Sequence, residues 1–566
     1  MTRSPRSRHP SLWAQLWPVL QRSRPLLQTW RVGGLLGLLV VLTIASGSFQ
    51  VWESVQRGEF ISALAARDPE RFQQALLTFI GILLATALLL SFVAFLRDTL
   101  GLRWRQGLTR QFLEDYLGDR HYYRLTLPSS APDVDNPDQR LSEDIRQVTQ
   151  TLLLVGVIAL ESAVQLTGFI GVLWVISTTL TGFLVVYAGV GTAIAVLFFG
   201  QRLTRINAEQ LKREANFRFG LINVRENAES IAFYRGQRAE GTVLNHFFAG
   251  VVANFNRLIR WQLGLDFFQN GYQYLTFILP SLILAPSILA GQLEVGAIVQ
   301  SQAAFDRIWL SLSLVVVQFE QLTTLAASMG RLGTLARSLQ TLGGQPEGAI
   351  AHQRSSTLAV QDLTVLTPDG QRRLCEQVTF AVPPGESLLV TGPSGVGKSA
   401  LMKTLSGLWT QGDGTLKAPP DTLFLPQQPY LTLGSLRQQL LYPHGDDAAP
   451  PESLAQALAQ VELPALAQLP LDTVDDWSQR LSLGEQQRLS FARLLVQRPP
   501  YAILDEATSA VTVEQEQALY QQLAAAKITA ISVGHRPSLR PYHTQVLTLS
   551  PDRTWALQSN QDVSLV

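Results

Sequence analysis

Between Leu388 and Leu405 the chain reads LLVTGPSGVGKSALMKTL. Gly392, Gly397, Lys398 and Ser399 hold the spacing G-x-x-x-x-G-K-[ST], and these residue types suit a nucleoside triphosphate. Glycines let backbone N–H groups come close to phosphate oxygens, and the helix that follows adds partial positive charge at its N-terminus. Lys398 is placed to reach the β- and γ-phosphates and Ser399 to ligate Mg²⁺. The predicted nucleotide-binding loop is therefore Gly392, Pro393, Ser394, Gly395, Val396, Gly397, Lys398, Ser399 and Ala400. About a hundred residues later, YAILDEATSA sets an apolar strand before two carboxylates. Asp505 suits Mg²⁺ coordination, and Glu506 suits a general base for an attacking water, since hydrolysis needs a proton acceptor near the γ-phosphate. A third loop, LSLGEQQR at 481–488, is polar and opens a helix. A single ATP site has no evident need of it.

These loops need a scaffold of short strands alternating with helices, and the composition after about residue 358 provides one. The pattern predicts a cytoplasmic α/β P-loop ATPase domain over 358–566 with a mostly parallel sheet. LQTLGGQPEGAIAHQRSST lacks apolar periodicity and is expected to be a linker over 339–357. At 566 residues the chain is too long for one core. A net charge of +1 makes no case for nucleic acid, and the single Cys375 rules out an intrachain disulfide or a Cys-based zinc site.

Residues 1–338 are far more apolar. Six runs approach the roughly 20 residues needed to cross a bilayer: Val32–Val51, Ala75–Leu96, Leu152–Ile176, Phe183–Phe199, Phe267–Leu289 and Ala297–Leu325. The expectation is an α-helical six-span transmembrane domain. The basic start MTRSPRSRHP reads as a cytoplasmic tail before a retained span. The two long connections are rich in arginine, while STTLTG and SILAGQLEVG carry no positive charge, so the long connections and both termini are assigned to the cytoplasm. They continue the helical pattern and suggest stalks. Asp266, Gln269 and Gln273 step along one face of the fifth span. Gln302 and Asp306 do so in the sixth, and Glu161 with Gln165 in the third. A water-filled substrate cavity is expected there, with helix–helix hydrogen bonding as the plainer reading.

Taken in order, GPSGVGKS, LPQQPYL, LSLGEQQR, YAILDEATSA and SVGHR resemble the nucleotide-binding domain of an ABC transporter. The resemblance implies that Gln427 senses Mg²⁺ and that His535 meets the γ-phosphate. It also answers the question of the third loop. Ser482, Leu483, Gly484 and Glu485 match the family's signature, which caps the ATP held by a partner's P-loop. One P-loop, one signature and about six spans imply a half-transporter of exporter-like fold acting as a homodimer with two composite sites, with ATP and Mg²⁺ as cofactors. DNPDQRLSEDI at 135–145 and NAESIAFYRGQ at 227–237 resemble subfamily D and its bacterial relatives. By that likeness Asn136, Pro137, Asp138, Gln139, Glu229, Phe233 and Tyr234 couple the spans to the ATPase domains. The subfamily's cargoes include cobalamin, peptides, fatty acids and acyl-CoA; the polar stripes favour a hydrophilic solute, cobalamin or peptide-like, with import expected, and the Arg-rich, Lys-poor membrane half with the LSLGEQQR form suggests a bacterial inner membrane. Fatty acids or acyl-CoA are the alternative cargo, and an ion-driven carrier with an accessory ATPase the alternative mechanism. Three departures stand out. Leu483 replaces the signature's second glycine, Thr512 stands where many members have Asp, and the adenine-stacking aromatic expected near TVLTPDG is absent, with Thr367 or a neighbour in its place.

Overall fold

A computed structural model describes residues 21–22, 30–127, 134–312, 318–343, 349–445 and 449–560. The basic start and Ser313 fall outside them. The chain divides into a helical unit reaching Gly343 and a mixed unit from Gly344 onward.

The helical unit is built from α1 (Trp30–Ala66), α2 (Pro69–Leu117), α3 (Ile145–Ile176), α4 (Thr178–Ile194), α5 (Gln201–Glu226), α6 (Ala228–Tyr234), α7 (Gln237–Leu289), α8 (Gly296–Leu312) and α9 (Phe319–Gly343). Among the described residues five helices are long and apolar enough to cross a membrane: Val32–Ala66, Pro69–Arg124, Pro137–Ile176, Thr178–Glu226 and Gln237–Leu289. The sixth expected span is not among them. Its first part is α8, which carries Gln300, Gln302, Asp306 and Arg307, and its middle, 313–317, lies outside the described residues. The stalk pattern is carried by helices of unusual length. At 1.5 Å per residue the 49 residues of α2 span about 73 Å and the 53 of α7 about 80 Å. Below the apolar stretches, α5 and α7 are joined by a buried amide: Asn254 Nδ2 donates to Gln210 Oε1 at 2.9 Å and to the Ile206 carbonyl at 3.0 Å.

At one end of this unit three helices are drawn together. Asp68 caps α2 by accepting from the N–H groups of Glu70 and Arg71, and so orients Arg71. Arg71 then donates to both Glu59 and Glu294, at 2.6 Å and 2.8 Å. Beneath it, the backbone of α8 approaches that of α1. A Cβ added to Gly296 would lie 2.0 Å from the Gly58 carbonyl oxygen, and the Gly296 N–H donates to Ser62 Oγ at 3.0 Å. Small residues permit such an approach between membrane helices.

The linker is shorter than expected. The buried stripe Leu332, Leu335, Ala336, Leu339 and Leu342 carries α9 on to Gly343, and Ala351–Arg354 forms a strand. That strand, β1, pairs in parallel with β5 (Gly412–Ala418) in a four-stranded sheet ordered β1-β5-β2-β3, where β2 is Leu358–Leu366 and β3 Arg373–Val382. The β5–β2 and β2–β3 pairs are antiparallel. The mostly parallel sheet is the second, six-stranded one. It comprises β4 (Leu388–Thr391), β6 (Leu423–Leu425), β7 (Tyr501–Asp505), β8 (Thr529–Val533), β9 (Gln545–Leu549) and β10 (Trp555–Ser559), in the order β10-β9-β4-β8-β7-β6 with only β10 antiparallel. Its central strands are buried on both faces, as LLV, YAIL and TAISV require.

Gly296→Ala tests the helix contact. Overpacking against backbone is expected to lower stability by about 1–3 kcal/mol. Gly81→Ala in α2, where an added methyl meets nothing within 4 Å, should leave it unchanged or slightly improved. Thermal unfolding of the two detergent-solubilised variants checks the contrast.

Candidate functional site

The C-terminal ends of β4, β7 and β8 deliver the predicted loops to one place. Leaving β4, the chain turns through Gly392 at φ +141°, Gly395 at φ +78° and Gly397 at φ +109°, then enters α10 (Lys398–Leu405). A side chain at Gly392 would press its Cβ to 2.4 Å from the Leu549 carbonyl. Only glycine meets both demands there. Lys398 is buried and folds back over the loop, donating to the carbonyls of Gly392 and Pro393 at 2.8 Å each. Burial pulls its pKa down, and Glu506 and Asp505 oppose that shift.

From β7, Asp505 and Glu506 enter the same space. Burial pushes the Asp505 carboxyl up, while a hydrogen bond from the Ser399 hydroxyl pulls it down. Glu506 is left-handed at φ +47°, its N–H donating to the Val533 carbonyl at 3.1 Å, and this turns its carboxylate toward two partners. Gln427 Nε2 donates to one oxygen at 2.8 Å, and His535 Nε2 lies 3.5 Å from the other. Gln427, Lys398, Ser399, Asp505, Glu506 and His535 are thus one connected cluster. Ser399 Oγ, the Asp505 carboxylate and the Gln427 amide oxygen are hard oxygen donors of the kind Mg²⁺ takes, and the half-buried carboxylate is partnered chiefly by a hydroxyl, so the donor set fits that ion.

The signature loop begins α11 (Leu483–Gln497) and is spent on itself. Ser482 and Glu485 form a capping box, with Glu485 Oε2 accepting from the Ser482 N–H at 2.9 Å and the Ser482 hydroxyl at 2.7 Å. Those bonds hold the Glu485 carboxyl below its usual range. Gly484 lies against the Ala510 carbonyl, and Leu483 is exposed. Thr512 caps α12 (Val513–Ala525) by accepting from the Gln515 N–H at 3.3 Å.

Two residues inside the quoted motifs carry more than was assigned to them. Gln487, 1 % exposed, donates to the Gln427 carbonyl and to Ser509 Oγ, both at 3.1 Å, and accepts from the Ala510 N–H at 2.9 Å. Arg536 donates to the Val511 and Ser509 carbonyls at 2.9 Å and 3.0 Å. The i, i+3 step from Gly484 to Gln487, one face of a helix, was the signal for the first. The second sits next to His535 and had none of its own.

In the helical unit the coupling residues separate into two kinds. Asn136, Asp138 and Gln139 are exposed, as are Glu229, Phe233 and Tyr234, while Pro137 is half-buried. The rest of DNPDQRLSEDI turns inward. Arg140, 4 % exposed, donates to Asp135 and to the Arg331 carbonyl at 2.9 Å, and Asp144 accepts from Arg331 at 2.8 Å and 2.5 Å. Arg331 could not be singled out in advance.

The polar stripes split as well. Gln273 Nε2 donates to Asp306 Oδ1 at 3.0 Å, and Gln302 Nε2 to the Phe277 carbonyl at 2.8 Å, so these residues join α7 to α8 as the plainer reading expected. Asp266 is exposed and Gln269 half-buried. Glu161 accepts from Gln50 at 2.6 Å and Gln165 at 3.1 Å. Glu161 and Gln165, with Ser162, Arg307, Ser311 and Gln318, line a cavity of about 200 Å³.

Comparison with known proteins agrees with this partition. Residues 27–289 match the family model described as ABC transporter transmembrane region 2, and residues 375–509 the one described as ABC transporter. An uncharacterized ABC transporter ATP-binding protein of Synechocystis sp. is 42 % identical over 552 residues, covering 95 % of this chain and 83 % of that protein. The inner membrane ABC transporter ATP-binding protein YddA of Escherichia coli is 30 % identical over 525 residues, 89 % of this chain and 91 % of its own. The lysosomal cobalamin transporter ABCD4 of Mus musculus is 32 % identical over 544 residues, 88 % of each chain.

Two outcomes follow from this geometry. Glu506→Gln should slow phosphate release from ATP by about 10²- to 10⁴-fold while leaving ATP binding intact, and chelating divalent cations should stop release in the wild type. Asp144→Ala leaves a partly buried guanidinium without its carboxylate. Because Arg331 is 42 % exposed, the loss of stability should be about 1–3 kcal/mol, below that of a wholly buried pair, and adding Arg331→Ala should recover part of it in a double-mutant cycle.

Proposed function

This chain belongs to the ABC transporter family, among its D-family and YddA-like members with membrane and ATPase domains in one chain, and from that we propose an ATP-driven homodimeric transporter of a hydrophilic solute. The observation that carries the ATPase reading is the cluster of Gln427, Glu506 and His535 at the mouth of the Gly392–Ala400 loop. In this reading ATP phosphates lie on the loop N–H groups and Lys398. Glu506 takes a proton from a water aimed at the γ-phosphorus by Gln427 and His535. The water oxygen bonds to phosphorus as the bond to the β-phosphate bridging oxygen breaks, leaving ADP and phosphate. Ser399, Asp505 and Gln427 would hold Mg²⁺, which neutralises charge on the phosphates when bound.

Two composite sites need two chains, and a closed two-fold pair satisfies both at once. Ser482, Leu483, Gly484 and Glu485 would then face the other chain's nucleotide. We assign transmission to Asn136, Pro137, Asp138 and Gln139 and to Glu229, Phe233 and Tyr234, whose exposed aromatics in α6 have no fold-internal use. The charged and amide side chains Glu161, Gln165 and Arg307 on the wall of the 200 Å³ cavity support a hydrophilic cargo over a fatty acid or acyl-CoA. The cobalamin named for the mouse relative fits that class, and so does a peptide. Import, and placement in a bacterial inner membrane with the ATPase domain in the cytoplasm, complete the proposal. An ion relay through Asp266, Asp306 and Glu161 gains less support, because Asp306 and Glu161 are each bound by glutamine amides.

Liposomes holding the purified protein, with ATP on the ATPase side, test this. Labelled cobalamin or a short cationic peptide should cross in the wild type and not in Glu506→Gln. Transport that survives the substitution would support the ion-driven mechanism. Movement of acyl-CoA alone would overturn the hydrophilic assignment.

A further inference from the structure

A triphosphate seated on Gly392–Ser399 must rest its base and ribose on a neighbouring surface. The turn that precedes β3 lacks an aromatic side chain, and Thr367 cannot substitute. Its hydroxyl bonds to Asp369 and accepts from the Arg372 N–H at 3.0 Å, and its own N–H donates to the Arg372 carbonyl at 2.8 Å. What this tight turn does is deliver Arg372 and Arg373 to the phosphate loop. Together with Leu374, Pro393–Val396, Pro551 and Arg553 they bound a cavity of about 300 Å³, within the range of small-ligand sites.

The three guanidinium groups are not equivalent. Arg553 donates to Glu376 at 3.1 Å, and Arg373 lies 3.7 Å from the same carboxylate. Arg372 has no carboxylate within ion-pair distance among the described residues. Asp369, on the same turn, is hydrogen-bonded by the Thr367 hydroxyl and the Gln371 N–H, and Arg372 adds only a weaker attraction of charge to it. Arg372 is exposed at the rim of a cavity that begins at the phosphate loop. A guanidinium is planar and weakly hydrated, and it stacks on π-faces as an aromatic ring does.

We propose that Arg372 replaces the missing aromatic ring and lays its guanidinium plane against the nucleotide base, over a floor of Leu374 and Pro551, with Arg373 and Arg553 held to the cavity wall by Glu376. The proposal rests on the ATP reading above and names the group that holds the base. Every base has a π-face, so such a platform discriminates weakly between purines.

The test measures equilibrium binding of Mg-ATP, Mg-GTP and inorganic tripolyphosphate to the full-length protein in detergent. Arg372→Ala should weaken ATP and GTP by about tenfold and leave tripolyphosphate within about twofold. Arg372→Lys, which keeps the charge and loses the plane, should behave like the alanine variant, and Arg372→Trp should restore binding. Equal loss of tripolyphosphate, or full affinity in the lysine variant, would make Arg372 a phosphate-directed charge and overturn the stack. Unchanged ATP binding in Arg372→Ala would overturn it too, with the ATP reading intact. Wild-type protein that binds tripolyphosphate but no nucleotide, or neither, would instead overturn the ATP reading itself.

Discussion

One buried amide organises the nucleotide unit. Gln487 uses its amide N–H groups and its oxygen on two separate stretches, at Gln427 and at Ser509–Ala510. A buried amide left half-satisfied costs about 1–3 kcal/mol per group, so both stretches are held in register with α11. Gln427 then presents its own side chain to Glu506, and Arg536 fastens the His535 loop to the same 509–511 backbone. The residues around the γ-phosphate position are therefore positioned from the helix of the signature loop. Any displacement of α11 is felt at Gln427 and at 509–510 through a single side chain.

The helical unit obeys a different constraint. In hydrocarbon there is no water to satisfy an amide or a carboxylate, so polar side chains must find one another. Gln273 with Asp306, Gln302 with the Phe277 carbonyl, and Glu161 with Gln50 and Gln165 are the solutions found here. The last group also lines a cavity. A polar stripe on a helix thus has two uses, and the position of the neighbouring helix decides between them.

That distinction marks how far the sequence was readable. The phosphate loop, the carboxylates after β7 and the two-part organisation were legible because each depends on local spacing: four residues between glycines, four apolar residues before a carboxylate, twenty in a span. Arg331 against Asp144 and Arg140 was not legible, since nearly two hundred positions separate the partners. The strand Ala351–Arg354 was read as linker because all four of its side chains are exposed, and its identity comes from pairing with β5 rather than from apolar pattern. Within α8, Gln302 and Asp306 pack against α7, a use of polar residues that the apolar pattern alone does not reveal. Thr367 stands at the place expected for a ring, but its hydroxyl is committed to closing a turn.

The capping box at Ser482 has a further consequence. A helix N-terminus is an anion site, and in this chain Glu485 fills it with a carboxylate of its own, bound to both the N–H and the hydroxyl of Ser482. An anion approaching this N-terminus meets a position already held by negative charge.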